Sequence, residues 1–182
     1  MKKVERSEIL DYQTYTEKRD EIRSSAMHEK DRRRIHLGEH LTFLFENTDT
    51  IRYQILEMVR IEKMVKEAGI QHEIDTYNQL LGESGELTCT LLIEYEDPAE
   101  RDKMLGSLTD LPEKIYLLME NGKKVYPEYD RDQMSDVKLS SVQFLKFSCS
   151  SPPAAIGSEH PLLKIESPLT AEQKELLKSD LR

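Results

Sequence analysis

The stretch "ELTCTLLIEYE", Glu86 to Glu96, constrains the fold most. Leu87, Cys89, Leu91, Ile93 and Tyr95 occupy every second position, and only an extended chain lines such residues up on one face. A strand this long needs partners, and the chain supplies several short period-two segments bounded by turn signals. In "RRIHLGEHLTFLFE", Leu41, Phe43 and Phe45 alternate with His40, Thr42, Leu44 and Glu46, and Gly38 with Glu39 reads as the hairpin turn. "EKIYLLMENGKKVYPEYD" carries Asn121-Gly122, the pair that favours a type I′ turn. "LSSVQFLKFSCS" is apolar on both sides and reads as a central strand, "SPPAAIGS" as a loop, and "HPLLKIE" as an edge strand.

Helical patterns lie between and around these strands. Ser7 to about Arg32 has good helix formers and no Gly or Pro, with Ser7 placed to cap and apolar content thin enough for the outside of the fold. "NTDTIRYQILEMVRIEKMVKEAGI" is the strongest helix, capped by Thr48 or Asp49 and ended by Gly69. "IQHEIDTYNQLL" follows, with Ile70, Ile74, Tyr77 and Leu81 on one face. Pro98 to Leu108 suits a short helix, and "LTAEQKELLKSDL" a closing one, opened by a Thr170–Gln173 capping box.

Hairpin-linked strands with helices grouped at the ends and after the first hairpin define an α+β fold. It is a mainly antiparallel sheet of about six strands, with a long N-terminal helix, a helix pair and a C-terminal helix. The 182 residues suit one domain: 1–32 the N-terminal helix, 33–150 the sheet and helix-pair core, 151–182 a loop, edge strand and closing helix. No glycine-rich phosphate loop or nucleophile elbow is present, and no cofactor is expected.

A net charge of −9 argues against general nucleic-acid binding, which needs a cationic surface. Residues 1–34 hold ten Lys/Arg against eight Asp/Glu, so the remainder carries −11. No apolar run has membrane-spanning length. Cys89 and Cys149 lie far apart and read as buried thiols in a reducing cytoplasm.

Three local patterns invite a chemical reading. His36, Glu39 and His40 spell H-x-x-E-H, but that zinc signature works only on a helix; the central Gly38 and the period-two flanks make this a surface histidine pair on a hairpin. "DRDQMSD", Asp130 to Asp136, lacks the glycine and the glutamate of a calcium loop. Glu62 is more pointed. If the main helix continues through it, Glu62 falls in the stripe of Ile51, Ile55, Met58 and Val65 and needs a partner. Candidates are Arg19, Arg23, a tyrosine hydroxyl, His160 or Arg131, with Lys66 as a surface alternative.

"LFENTDTIRYQILEMVRIEK", "EIDTYNQLL", "GELTCTLLIE", "YDRD" and "SSVQFLKF" together resemble an uncharacterised bacterial domain-of-unknown-function family, over nearly the whole chain. The positions that match its pattern are Phe45, Glu46, Asn47, Arg52, Tyr53, Gln54, Glu57, Met58, Arg60, Glu62, Glu73, Tyr77, Asn78, Asp130, Arg131 and His160. Gln143 stands where the family usually has a histidine. Members of the family are commonly encoded beside rubrerythrin-like proteins and an iron–sulfur oxidoreductase, so the resemblance implies a redox or oxidative-stress setting.

Two functional expectations follow. One is a cytoplasmic accessory protein that binds such a partner through a polar surface around Arg52, Tyr53, Glu57 and Arg60. The other is an enzyme or metal-binding protein whose pocket gathers Glu57, Glu62, Glu73, Tyr77 and His160.

Overall fold

The structure, a computed structural model, describes residues 1–129 and 137–182. A 3-10 turn at Arg6–Glu8 precedes helix α1, Tyr12–Arg33. Ser7 therefore sits inside the turn, and Asp11 is the cap: its side chain accepts from the backbone N–H groups of Gln13 and Thr14. The α1 helix is less peripheral than its composition suggests, since Tyr15, Ala26 and Arg33 are buried.

Strands β1 (Arg34–Leu37) and β2 (Leu41–Phe45) form the expected hairpin, with Leu37 opposite Leu41 and His36 opposite Thr42. The loop is Gly38-Glu39-His40, one residue longer than the Gly-Glu turn, and Gly38 takes φ +68°. Helix α2 (Thr48–Ile61) starts one residue earlier than its predicted cap, because Asn47 accepts from Thr50 N–H while the Thr50 hydroxyl accepts from Asn47 N–H. It does not run on to Gly69. Glu62 ends it, Lys63 turns the chain with φ +48°, and a separate helix α3 spans Glu67–Asn78. Every residue of this turn is an acceptable helix former, so propensity gives no warning. The break lets Met64, Ile70 and Ile74 fold back onto Tyr15, Ile51, Ile55 and Val59 in a cluster shared by α1, α2 and α3.

The remaining elements are β3 (Glu86–Ile93), α4 (Pro98–Ser107), α5 (Leu111–Lys114), β4 (Ile115–Leu118), β5 (Lys124–Val125), β6 (Val142–Ser148), β7 (Ala155–Ser158), β8 (Ile165–Pro168) and α6 (Ala171–Asp180). The fold class is the α+β antiparallel arrangement expected, with the long first helix, the helix pair and the closing helix in place. The eight strands among the described residues sort into two four-stranded sheets, ordered β1-β2-β3-β6 and β5-β4-β7-β8. Paired backbone hydrogen bonds between Glu128 and Lys146 tie the segment that follows β5 to the edge strand β6, and β8 lies against β1. One apolar core fills the space between the two sheets, with Phe43, Leu91 and Phe147 from the first sheet meeting Ile115, Leu117 and Ile156 from the second.

Three strand expectations change. The β6 strand is at an edge of its sheet, with Leu145 and Phe147 inward and Val142 and Phe144 exposed. The Asn121-Gly122 turn is not type I′. Only Gly122 has positive φ there, and Gly122 N–H donates to Met119 O while Met119 N–H donates to Lys123 O. That is a three-residue loop closed by a left-handed glycine. Finally, Ala155–Ser158 is a fully buried strand, not a loop. A Cβ on its Gly157 would lie 2.5 Å from Tyr116 Cζ, so the missing side chain is what lets the Tyr116 ring cross β7.

This contrast yields a paired expectation. Gly157→Ala lowers stability by about 1–3 kcal/mol through overpacking. Gly69→Ala, in the first turn of α3 with nothing within 4 Å of its Cβ, raises it by up to about 1 kcal/mol. Denaturant midpoints of the two variants would show it; a Gly157→Ala midpoint equal to wild type would mean the Tyr116 ring moves aside freely. Among the described residues no helix is long and apolar enough to cross a membrane.

Candidate functional site

The face shared by α1 and α2 gathers a network of charged side chains. α2 turns Ile51, Ile55 and Val59 into its apolar cluster, which leaves Glu57 at the rim, facing α1. Its carboxylate, 12% exposed, is held on both oxygens. Tyr15 donates its hydroxyl to Oε1 at 2.5 Å, Arg19 donates Nε to Oε1 at 2.8 Å and Nη2 to Oε2 at 3.0 Å, and Arg60 donates Nη2 to Oε2 at 3.3 Å. Such forked, charge-assisted bonds are the strong ones. Burial by itself would raise the Glu57 pKa, but the bonds from Arg19, Tyr15 and Arg60 outweigh it and hold the carboxyl down at about 2. Burial, reinforced by the Glu57 charge, pushes the Tyr15 phenol the other way, well above its usual range.

Beside this cluster runs a groove of about 390 Å³ between the two helices, bordered by His28, Glu29, Asp49, Arg52 and Tyr53. Arg52 donates Nη2 to Asp49 at 2.6 Å, and its Nε lies 3.4 Å from Glu8. The Lys30 ammonium sits 5.1 Å above the Tyr53 ring. Burial lowers its pKa, with the Glu46 charge opposing. At the floor, Glu29 accepts from Arg33 at 2.5 Å and from the Asn47 amide at 2.8 Å. The helix cap of α2 is thereby tied to the end of α1. Glu46, also buried, accepts from the hydroxyls of Thr50 and Thr90, each at 2.6 Å.

The other sequence candidates lie elsewhere. Glu62 is exposed at the end of α2, outside the apolar stripe, because the helix whose phase would carry it inward has already stopped. It shares the α2–α3 corner with Glu73 and Tyr77. There burial raises the Tyr77 phenol, a hydrogen bond with Gln54 opposes the rise, and the Glu73 and Glu62 charges add to it. Asn78 pins the N-terminal segment, accepting from Val4 N–H at 2.9 Å and donating to Val4 O at 3.0 Å. His160 lies in the connection between β7 and β8 of the second sheet. Its Nδ1 accepts from Leu162 N–H, so in the neutral ring Nε2 carries the proton and donates to Asp110 at 3.1 Å. Glu57, Glu62, Glu73, Tyr77 and His160 thus occupy three separate places. Arg131 and the Asp130–Asp136 loop fall outside the described residues. Gln143 is buried and donates to Ser140 O at 2.9 Å. Among the described residues no three His, Cys, Asp or Glu side chains are placed to hold a metal ion.

The chain matches the model of DUF3501, a family described as proteins of unknown function, over residues 3–181. It belongs to the DUF3501 family. A crystal structure of a protein of unknown function from Burkholderia pseudomallei superposes on it with a TM-score of 0.92 at 32% identity, covering 100% of both chains. No curated protein matches it.

For this DUF3501 chain, the residues singled out from sequence on this face are Arg52, Tyr53, Glu57 and Arg60 of α2 and Arg19 of α1, while Tyr15, Glu29 and Lys30 of α1 were not among them. Tyr15 and Arg19, four residues apart and so on one helical face, were the available signal. Arg19 does meet a glutamate of α2, but that glutamate is Glu57 and not Glu62. Lys30 and Glu29 carry no signal in the sequence, and only the packing of α2 over them reveals their role.

Proposed function

We propose that this protein acts by binding a partner through the α1–α2 face, as a non-catalytic accessory component of a redox or oxidative-stress system in the cytoplasm. The observation that carries this reading is the engagement of Glu57. A carboxylate held by three donors with a pKa of about 2 makes a poor proton acceptor near neutral pH. What it does well is hold Arg19 and Arg60 in fixed positions. Both guanidiniums stay about one-third exposed, as does Arg52, which gives a rigid basic rim on an otherwise acidic chain. Neither thiol suits nucleophilic work, since burial pushes Cys89 far up and Cys149 to about 11.

The redox setting rests on the family resemblance, and the partner classes it points to are a rubrerythrin-like protein and an iron–sulfur oxidoreductase. Co-purification of the tagged chain with each, at low salt, is the test. A complex should form, weaken as salt rises, and lose about tenfold or more in affinity on Arg52→Glu, mainly through slower association and faster release. Separate elution of all components at micromolar concentration would overturn the assignment.

A further inference from the structure

A second cleft, of about 770 Å³, opens where β2 begins, β3 ends and α4 starts. It shares no lining residue with the α1–α2 groove. Glu39, Glu94, Glu96 and Glu100 line it, and Arg101 is the one cation among the described residues that do. Arg101 is already turned to the backbone, donating Nη1 to Tyr95 O at 3.2 Å. Among the described residues, none of the four carboxylates has a salt-bridge partner, although the α1–α2 face is laced with such pairs.

Two stacked rings back this acidic wall. His40 lies on Tyr95 with centroids 4.0 Å apart and planes 17° from parallel. His40 Nδ1 is 3.0 Å from Glu94 O. A carbonyl oxygen only accepts, so Nδ1 holds the proton and the neutral ring leaves Nε2 as a bare acceptor. Tyr95 is 5% exposed, yet its buried hydroxyl has no hydrogen-bond partner among the described residues, which is uncommon for a buried polar group. Burial first, and the Glu100 charge second, push its ionisation up, so the phenol feels the same acidic wall.

We propose that this cleft binds an alkylammonium group, with the His40–Tyr95 pair as its aromatic floor and Glu94, Glu96 and Glu100 as its counter-charge. What it offers is mostly acceptors: four carboxylates without a counter-charge among the described residues, of which Glu94 also accepts from the Thr42 hydroxyl, and the bare imidazole nitrogen; the Tyr95 hydroxyl can accept as well as donate. An ammonium brings three donors and no acceptor, and is attracted to ring faces besides. A metal ion is the weaker match, because no three His, Cys, Asp or Glu side chains among the described residues converge as it requires. Anions are repelled. The ammonium could arrive on a free linear polyamine or on a lysine side chain of a protein.

The experiment titrates the full chain with spermidine and, separately, with the blocked peptide acetyl-Gly-Lys-Gly-amide, following the His40 ring by NMR and the heat by calorimetry. Sodium chloride at matched ionic strength is the control. Binding should move the His40 ring signals. It should weaken about tenfold in the variant carrying Glu96→Gln and Glu100→Gln, two exposed positions whose contributions are individually modest. Tyr95→Phe should weaken it about threefold, with a thermal midpoint no lower than wild type, since the phenylalanine removes an orphaned hydroxyl. Tighter binding of spermidine identifies a free amine as the source; equal or tighter binding of the peptide identifies a protein lysine. His40 shifts reproduced by sodium chloride, or affinity unchanged in the double variant, would overturn the proposal.

Discussion

Arg33→Met is expected to lower the free energy of unfolding by about 3–5 kcal/mol, the range for breaking one side of a buried ion pair. Arg33 is 4% exposed. Its Nη1 and Nη2 donate to the two oxygens of Asp180 at 2.5 and 3.2 Å, and its Nε donates to Glu29 at 2.5 Å. The contact ties the end of α1 to the end of α6, across 147 positions of sequence. Methionine fills much the same volume and supplies no donor. It strands the Asp180 carboxylate, itself buried, without a counter-charge.

The double variant Arg33→Met, Asp180→Leu should recover most of that loss, because an apolar pair of similar volume often replaces a buried ion pair at little cost. Glu29 keeps Arg32 and Asn47 as partners in either variant. Urea unfolding of wild type and the variants measures the effect. A single variant costing under about 1 kcal/mol, or a double variant no more stable than the single, would show that the Arg33 charge is solvated in some other way.

The second large effect is in the acid limb of the stability curve. Glu57 is held at about 2, below its ordinary 4.5. A carboxylate whose folded pKa is depressed contributes stability that is complete above about 4.5 and is lost as pH falls toward about 2. The size of that contribution is about 3 kcal/mol at neutral pH. Glu57→Gln should therefore cost roughly 2–3 kcal/mol at neutral pH, since glutamine keeps the shape but neither the charge nor the second strong acceptor. The gap between wild type and variant should then close as pH drops through the window from about 4.5 to about 2. Denaturant midpoints taken at intervals across that range provide the check. Parallel curves, with a constant gap down to the acid end, would mean that Glu57 titrates at an ordinary pKa and that the Arg19 and Arg60 contacts add little.

Much of the fold was legible because its signals are local. The alternation of Leu87 through Tyr95 gave β3, the Thr170–Gln173 capping box gave the start of α6, and Ile70, Ile74 and Leu81 gave the buried side of α3. The misreadings share a cause. Ala155–Ser158 is a short strand, Ile156 among three small residues, buried on both sides, so it has no alternation to detect. The break at Glu62 and Lys63 is made by the packing of α3 back onto α2 and the N-terminal turn, against the local helical preference. The type I′ assignment failed because Asn-Gly also suits the end of a three-residue loop, and the pairing register of β4 with β5 chose that loop.

The candidate site shows the same division. Sequence by itself determined which residues carry charge, that Glu57 lies off the apolar stripe of α2, and that the two cysteines are buried thiols. Tertiary structure alone decided that Glu57 meets Tyr15 and Arg19, that Arg33 is sealed against Asp180, and that His40 stacks on Tyr95 beside a row of carboxylates with no salt-bridge partner among the described residues. Periodicity reports the direction a side chain takes from its own backbone, whereas a charge acquires its chemistry from the groups that fold brings within a few ångströms and from the water that burial removes.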